Sequence, residues 1–228
     1  MADSRRNRPF SVIFDDIFQR LYQTFGSQHW WPAETPFEVM VGAVLTQNTA
    51  WDNVVKALKG LKERRLLTPE ALARLRPATL GRHIRPCGYY NVKARRLLEL
   101  VHWLKSRGGI EAVRRLPTAR LRQELLALKG IGPETADSIL LYALNRPVFV
   151  VDAYTRRILS RHNLINGDEP YEQIRALFED NLPRRVRLFN EFHALLVKLA
   201  KSHCRSRPLC NGCPLKPIRA HRPTGLTF

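Results

Sequence analysis

Short amphipathic segments recur along the whole chain, and each repeats its apolar residues at the three- and four-residue spacing of an α-helix. The clearest are SVIFDDIFQRLYQTF, KARRLLELVHWLK and LFNEFHALLVKLAKS. Segments rich in proline, glycine and asparagine separate them. The one β-like run, PVFVVD, is short and has no evident partner, so we read it as an extended approach to a helix. The sequence therefore predicts an all-α protein of about ten short helices.

The charge of the chain indicates a polyanionic partner. Lysine and arginine total 38 against 20 acidic residues, which gives a formal net charge of +18 and a pI near 10.6. Residues 201–228 contain no acidic residue at all. Such a surface is typical of nucleic-acid binding, with a cationic protein of another kind as the alternative.

Targeting signals are not evident in the sequence. No apolar run approaches the ~18 residues of a membrane span. The basic N-terminal stretch MADSRRNRPF is not followed by the apolar region of a secretory signal. We therefore expect a cytoplasmic protein, nucleoid-associated if the source is bacterial, that is monomeric and has no membrane partner.

The segment LKGIGPETADSILLY contains a tight glycine turn between two predicted helices. A helix ending at Lys129, the turn Gly130-Ile131-Gly132 and a helix starting near Pro133 form a helix–hairpin–helix pattern. Glycines let backbone amides approach a phosphate closely, and a helix N-terminus favours an anion. Ile131 would pack inward. The alternative is a plain helix connection with a glycine cap.

Several motifs in the same order resemble the endonuclease III superfamily of DNA glycosylases. They are VGAVLTQNTAWDNVVKAL, IRPCGYYNVKARRLLEL, LKGIGPETADSILLYALNRPVFVVDAYTRRI and EFHALLVKLAKSHCRSRPLCNGCPL. A Trp-Trp-Pro before the Thr-Gln-Asn-Thr segment is most similar to the monofunctional 3-methyladenine glycosylases with an endonuclease III-like fold. The resemblance extends over nearly the whole chain.

The resemblance implies two helical domains with DNA lying across the cleft between them. Residues 37–147 would form a six-helix bundle that includes the helix–hairpin–helix at about 121–143. Residues 1–36 and 148–228 would form the second domain, with a cysteine loop at 204–219.

The resemblance also assigns residues to damaged double-stranded DNA, the implied partner. The residues expected to contact DNA are Gln47, which would fill the gap left by a flipped base, Asn48, Lys129, Gly130, Ile131, Gly132 and Thr135. The rings expected to form the base pocket are Trp30, Trp31, Pro32 and Trp51. Aromatic rings near helix ends are also common core residues, and this alternative stays open.

Asp152 and Glu134 specify the chemistry that the resemblance implies. A carboxylate at 152 would stabilise the positive charge that develops on the sugar as the glycosidic bond breaks. Its simpler role is a helix N-cap. Glu134 stands where lyase members of the family have a lysine, so imine chemistry is expected to be weak or absent. Asp137 is a competing carboxylate.

We therefore expect a monofunctional base-excision glycosylase that flips a damaged base and favours alkylated purines such as 3-methyladenine. One alternative is a bifunctional glycosylase and abasic-site lyase on oxidised pyrimidines. Another is a DNA-binding protein without catalysis.

Cys204, Cys210 and Cys213 form C-x5-C-x2-C, a metal-site spacing in a chain where a disulfide set is not expected. The resemblance implies a [4Fe–4S] cluster, but Arg219 stands where the fourth cysteine is expected. His203 or His221 could supply that ligand. A cluster with one non-cysteine ligand, zinc, or a loop without metal remain the alternatives. Cys87 is expected to be a buried thiol.

Overall fold

The structure, a computed structural model, describes residues 9–218. Within this range the chain forms twelve α-helices, one short 3-10 helix and one π-helix, and no strand, so the all-α prediction is confirmed. Each helix in the same range is too short or too polar to cross a membrane. The α-helices are α1 (Phe10–Phe25), α2 (Pro36–Leu45), α3 (Trp51–Glu63), α4 (Pro69–Ala73), α5 (Pro77–His83), α6 (Tyr90–Ser106), α7 (Ile110–Val113), α8 (Thr118–Leu126), α9 (Pro133–Ser138), α10 (Ala153–Arg161), α11 (Tyr171–Asn181) and α12 (Val186–Ser202).

The chain divides into two compact units. One is Met1–Trp30 with Pro147–Phe228, of which 9–30 and 147–218 are described, and the other is Trp31–Arg146. We call them the terminal unit and the middle unit. The 3-10 helix (Arg85–Cys87) and the π-helix (Ile139–Ala143) belong to the middle unit.

A cluster of phenylalanines forms the core of the terminal unit. The ring of Phe178 on α11 stacks between Phe14 on α1, at 4.4 Å between centroids, and Phe149, at 3.8 Å. Phe192 on α12 meets these rings edge-on. Phe149 lies in the extended segment that precedes α10, and Val148 to Val151 are all buried. The β-like run is therefore an extended segment of the core, and its apolar side chains are buried although it pairs with no strand.

Helix α2 is the central helix of the middle unit. Apart from Glu38 its residues are apolar on every side, and Phe37 to Leu45 are all buried, as expected for a helix surrounded by others. Thr35 fixes its start by accepting a hydrogen bond from the Glu38 amide at 3.1 Å, with proline at the first helical position. Helices α3, α6, α9 and the π-helix pack against it.

The predicted helix–hairpin–helix is formed by α8, a turn at 127–132 and α9. Arg122 on α8 and Asp137 on α9 form a two-point ion pair, with nitrogen–oxygen distances of 2.7 and 3.1 Å. Asp137 is completely buried, so this pair joins the two helices inside the protein. Ile131 is 4% exposed, which confirms its predicted inward packing.

Candidate functional site

The two glycines of the hairpin turn differ in backbone conformation and in the space around them. Gly130 has φ of +87°, and a Cβ placed on it would lie 2.6 Å from Cγ and Cδ of Arg96. Gly132 is extended, with φ of −90° and ψ of 178°, a conformation that any residue adopts. No heavy atom of the described residues would come within 4 Å of a Cβ on Gly132. The positive φ and the Arg96 side chain therefore favour glycine at 130, whereas glycine at 132 leaves open space in front of the backbone.

The turn that follows α2 places Gln47 against the hairpin. Its Nε2 donates hydrogen bonds to the Gly130 carbonyl at 3.1 Å and to Thr135 Oγ1 at 2.9 Å. Arg96 Nη1 donates to Gln47 Oε1 at 2.6 Å. Asn48 is exposed beside it, with φ of +51°. Three of the residues predicted to contact DNA therefore share one hydrogen-bonded group, and Arg96, which the sequence analysis did not select, holds it.

Lys93 anchors the same turn from inside the middle unit. It is 2% exposed, and its Nζ donates to the carbonyls of Leu45 at 2.9 Å and Cys87 at 2.7 Å. Burial lowers the pKa of Lys93, and the neighbouring Arg96 acts in the same direction. Because Leu45 is the last residue of α2, this lysine fixes the point at which the turn toward Gln47 begins. Cys87 is a buried thiol, as predicted.

The predicted pocket aromatics fall into both units. In the middle unit the Trp31 ring meets Trp51 edge-on at 5.1 Å and lies 5.2 Å from the Tyr142 ring. Gly42 makes room for it, since a Cβ there would lie 3.1 Å from the Trp31 ring. In the terminal unit, Lys201 Nζ lies 5.9 Å from the centroid of the Trp30 ring.

Pro32 and Trp51 line one cavity of about 510 Å³ in the middle unit. Its wall includes the buried Glu38, whose carboxylate is paired with Lys62 at 2.8 Å. The hydrogen bonds that Lys62 donates to Glu38 and Glu34 raise the pKa of Lys62, so this ammonium stays charged. The structure thus brings Trp31, Trp51 and Pro32 to one side of the middle unit.

Asp152 caps α10, and this fixes the direction of its carboxylate. Its Oδ1 accepts a hydrogen bond from the Thr155 amide at 2.7 Å, while Oδ2 lies 3.6 Å from Nε2 of His193 on α12. The Asp152 side chain is 14% exposed and His193 is 7% exposed. The capping role considered for this residue is therefore present. It uses Oδ1, whereas Oδ2 faces His193.

The environment of Asp152 favours its ionised form. Burial alone would raise the pKa of Asp152, but the charge and hydrogen bond of His193 and the hydrogen bonds of Thr155 outweigh burial, and the pKa lies below its ordinary value. The carboxylate is therefore charged at neutral pH. His193 is a site residue that the sequence analysis missed; its only signal is a polar residue on the apolar face of α12.

The remaining polar residues of the hairpin occupy distinct positions. Glu134 is exposed in the first turn of α9, and Lys129 is exposed before the first glycine. The competing carboxylate, Asp137, is buried against Arg122. Asp137 is therefore part of the hairpin's internal structure and has no access to a substrate.

The cysteine loop follows α12 and lines a cavity of about 380 Å³ in the terminal unit. Cys204, Cys210 and Cys213 all line it, together with His203 and His162. Among residues 9–218, no group of three or more His, Cys, Asp or Glu side chains lies close enough to hold a single metal ion. The three thiols therefore line one common space.

Helix α10 holds this loop through its last turn and a half. Arg161 donates to Cys204 Sγ at 3.4 Å and to the carbonyls of Arg205 and Ser206 at 2.5 and 2.8 Å. Arg157 donates to the Cys204 carbonyl at 2.8 Å. Burial, together with the nearby Cys204 and Cys210, raises the pKa of Cys213. Arg219 and His221, which the sequence analysis considered for this loop, lie outside the described residues.

An all-α fold with a glycine hairpin, followed along the chain by a helix-capping aspartate and a cysteine loop, defines the class of helix–hairpin–helix proteins of DNA repair. A family model described as HhH-GPD superfamily base excision DNA repair protein matches residues 41–184. The chain belongs to this superfamily, and it is a base-excision repair DNA glycosylase.

Similar proteins come from both major branches considered above. "Putative DNA repair glycosylase MJ1434" of Methanocaldococcus jannaschii is 44% identical and covers 92% of this chain and 97% of its own length. The structure of the Helicobacter pylori 3-methyladenine DNA glycosylase MagIII bound to 1,N6-ethenoadenine is 29% identical, with a TM-score of 0.73, and covers 85% of this chain and 98% of its own.

A structure of a non-covalent endonuclease III–DNA complex aligns with a TM-score of 0.78, covering 91% of this chain and 94% of its own. Its identity of 23% means that it shows the fold alone. The predicted endonuclease III-like fold is therefore confirmed.

Proposed function

We propose that this chain is a monofunctional DNA glycosylase that flips an alkylated purine out of double-stranded DNA and hydrolyses its N-glycosidic bond. The observation that carries the proposal is an ionised aspartate at the start of α10 combined with glutamate at the lyase-lysine position. Asp152 would stabilise the developing sugar cation with the carboxylate oxygen that does not cap the helix.

Water is the nucleophile in this proposal. Glu134 has no amine and cannot form an imine with the sugar. Lys129 is exposed, but it lies on the other side of the two glycines in the chain, in a different part of the hairpin. A carboxylate at 152 can orient or deprotonate a water molecule, so the reaction would end with an intact abasic strand.

The preference for alkylated purines rests on aromatic rings and on one relative. An N-alkylated purine is a cation and a good leaving group, and a cation over an aromatic face gains about 0.5–2 kcal/mol. The middle unit supplies Trp31 and Trp51 in contact. MagIII, a 3-methyladenine glycosylase by name, is 29% identical to the chain.

The DNA would be held by the hairpin and by Gln47. The space around the Cβ position of Gly132 is open, which would let a phosphate approach the turn, and the first-turn amides of α9 have no intrahelical partners. Gln47, the residue that would fill the gap left by the flipped base, is hydrogen-bonded to Gly130 and Thr135 of the hairpin. Base flipping and phosphate contact would therefore be coupled.

The cysteine loop would hold a [4Fe–4S] cluster with one ligand that is not cysteine. Three thiols around one cavity suit a cluster, because a cluster spreads its ligands over several iron atoms. The cluster's contribution when bound would be to order a basic loop against DNA.

Base release from duplexes with one defined lesion tests the substrate. The panel contains 7-methylguanine, 1,N6-ethenoadenine, 8-oxoguanine and thymine glycol, each assayed with and without alkaline cleavage. We expect release from the alkylated purines, with strand breaks only after alkali. Release of thymine glycol with direct strand breaks would instead support the bifunctional alternative.

Two variants test the catalytic assignments. Asp152→Asn keeps a capping oxygen but loses the charge, so it should bind duplex normally and release base at least about 100-fold more slowly. Equal release would leave Asp152 as a cap only. Borohydride should trap no covalent complex with wild type, whereas Glu134→Lys is the matched variant that could be trapped. Efficient trapping of wild type would contradict the monofunctional proposal.

A further inference from the structure

The end of α10 places a histidine in the cavity that the three cysteines line. His162 follows the last residue of α10 and lines the same cavity as the three cysteines. Its Nδ1 lies 2.8 Å from the carbonyl oxygen of Ile218. Ile218 immediately precedes position 219, where a fourth cysteine is expected and arginine stands. The imidazole therefore contacts the residue that precedes position 219 in the chain.

The hydrogen bond to Ile218 determines which ring nitrogen of His162 is available. A carbonyl oxygen only accepts hydrogen bonds, so Nδ1 must carry the proton. In the neutral ring, Nε2 then has a lone pair. Metal-binding histidines commonly donate their other ring nitrogen to a backbone carbonyl in this way, which fixes both tautomer and ring orientation.

His203 is the other histidine of the cavity, and its position makes it a weaker choice. The Ser202 hydroxyl donates its proton to the Lys198 carbonyl at 2.9 Å. The same oxygen lies 2.8 Å from Nδ1 of His203 and accepts a hydrogen bond from it, so His203 also carries its proton on Nδ1. The His203 ring, however, packs 6.0 Å from the ring of Phe25. His203 also directly precedes Cys204, the first cysteine of the motif, whereas position 219, where the fourth cysteine is expected, follows Cys213 in the chain.

We propose that Nε2 of His162 is the fourth ligand of an iron–sulfur cluster held by Cys204, Cys210 and Cys213. This inference rests on the cluster proposed above and adds the ligand that completes it. Histidine is an established ligand of iron–sulfur centres, and an imidazole in place of one thiolate leaves the site with one negative charge fewer. Arg161, which donates to Cys204 Sγ, adds further positive character.

The test compares wild type with His162→Ala, His162→Cys and His203→Ala, all purified without oxygen. Iron, sulfide and zinc are quantified, and the reduced proteins are examined by pulsed EPR for nitrogen hyperfine coupling. Labelling histidine with nitrogen-15 identifies the coupled nitrogen as imidazole. Wild type should contain about four irons with one imidazole coupling. His203→Ala, the matched control from the same cavity, should keep both.

The two His162 variants separate ligand loss from misfolding. His162→Ala should lose the nitrogen coupling and part of its iron, whereas His162→Cys should keep its iron but lose the coupling. Coupling that persists in His162→Ala, or disappears in His203→Ala, would overturn the assignment. Wild type without iron, or with zinc alone, would reject the cluster and this ligand together. Base release measured on the same preparations reports on the glycosylase proposal independently of either result.

Discussion

Replacing each hairpin glycine with alanine separates folding from DNA binding. At Gly130 the added Cβ meets a φ of +87° and the side chain of Arg96. A left-handed conformation costs a residue with a Cβ about 1–2 kcal/mol. Moving Arg96 also breaks its 2.6 Å hydrogen bond to Gln47, which adds about 1 kcal/mol. Gly130→Ala should therefore lower the free energy of unfolding by about 2–3 kcal/mol.

At Gly132 the same substitution should do the opposite to stability. The backbone there is extended and the Cβ meets no described atom, so alanine mainly restricts the unfolded chain. Such a change stabilises a protein by about 0.4–1 kcal/mol. The new methyl group would, however, occupy the open space through which a phosphate reaches the backbone amide. Losing one hydrogen bond to a charged group costs about 1.5–3 kcal/mol, or about 10- to 150-fold in Kd.

The assay is fluorescence anisotropy with a duplex that contains a non-cleavable abasic analogue, at one fixed salt concentration. Urea unfolding of the same samples gives the stability of each variant. We expect Gly132→Ala to be as stable as wild type, or more so, and to bind at least about 10-fold more weakly. A stable Gly132→Ala protein with wild-type affinity would refute the phosphate-clamp interpretation.

Three further variants test the internal supports of the site. In His193→Ala, Asp152 loses the charge and hydrogen bond of His193 that lower its pKa, so this pKa should rise. The proposed mechanism uses the ionised carboxylate, so as the pH is lowered, base release should begin to fall at a higher pH than in wild type, and an unmoved acid limb would contradict this role. Lys93→Met leaves the carbonyls of Leu45 and Cys87 without their donor and should lower the free energy of unfolding by about 1–3 kcal/mol. An unchanged midpoint in urea unfolding would contradict this expectation. Arg122→Ala strands the buried charge of Asp137 and should cost about 3–5 kcal/mol, whereas the double replacement Arg122→Met with Asp137→Leu should recover much of this in thermal melts.

Local patterns in the sequence predict the parts of this protein that depend on local physics. Apolar spacing predicts helices, and the all-α class is confirmed. The inward packing of Ile131 follows from an apolar residue between two glycines. The extended run PVFVVD forms no strand in the described structure because it packs into an aromatic core. Its neighbours in that core, on α1 and α11, are distant in sequence and could not be named beforehand.

Contacts between distant residues account for what the sequence did not reveal. His193 and Asp152 lie on different helices, and periodicity alone gives no reason for them to meet. Lys93 lies on the apolar face of α6, where a charge is costly unless backbone carbonyls receive it. His162 was likewise passed over, since only the packing of α10 brings it to Ile218. The roles proposed for Asp152, Gln47 and the cysteines remain predictions.

Helix α10 has nine residues and is about 14 Å long, with Asp152 at its first turn and the cysteine loop hydrogen-bonded to its last turns. Glycosidic hydrolysis transfers no electron, yet with Asp152 in its proposed role this short helix would make base release sensitive to oxidants. Oxidation of the cysteines would break the hydrogen bonds between the cysteine loop and the last turns of α10. The helix that Asp152 caps would then be held less firmly at its C-terminal end. Base release should accordingly decline under oxidative stress before the hairpin loses its grip on DNA.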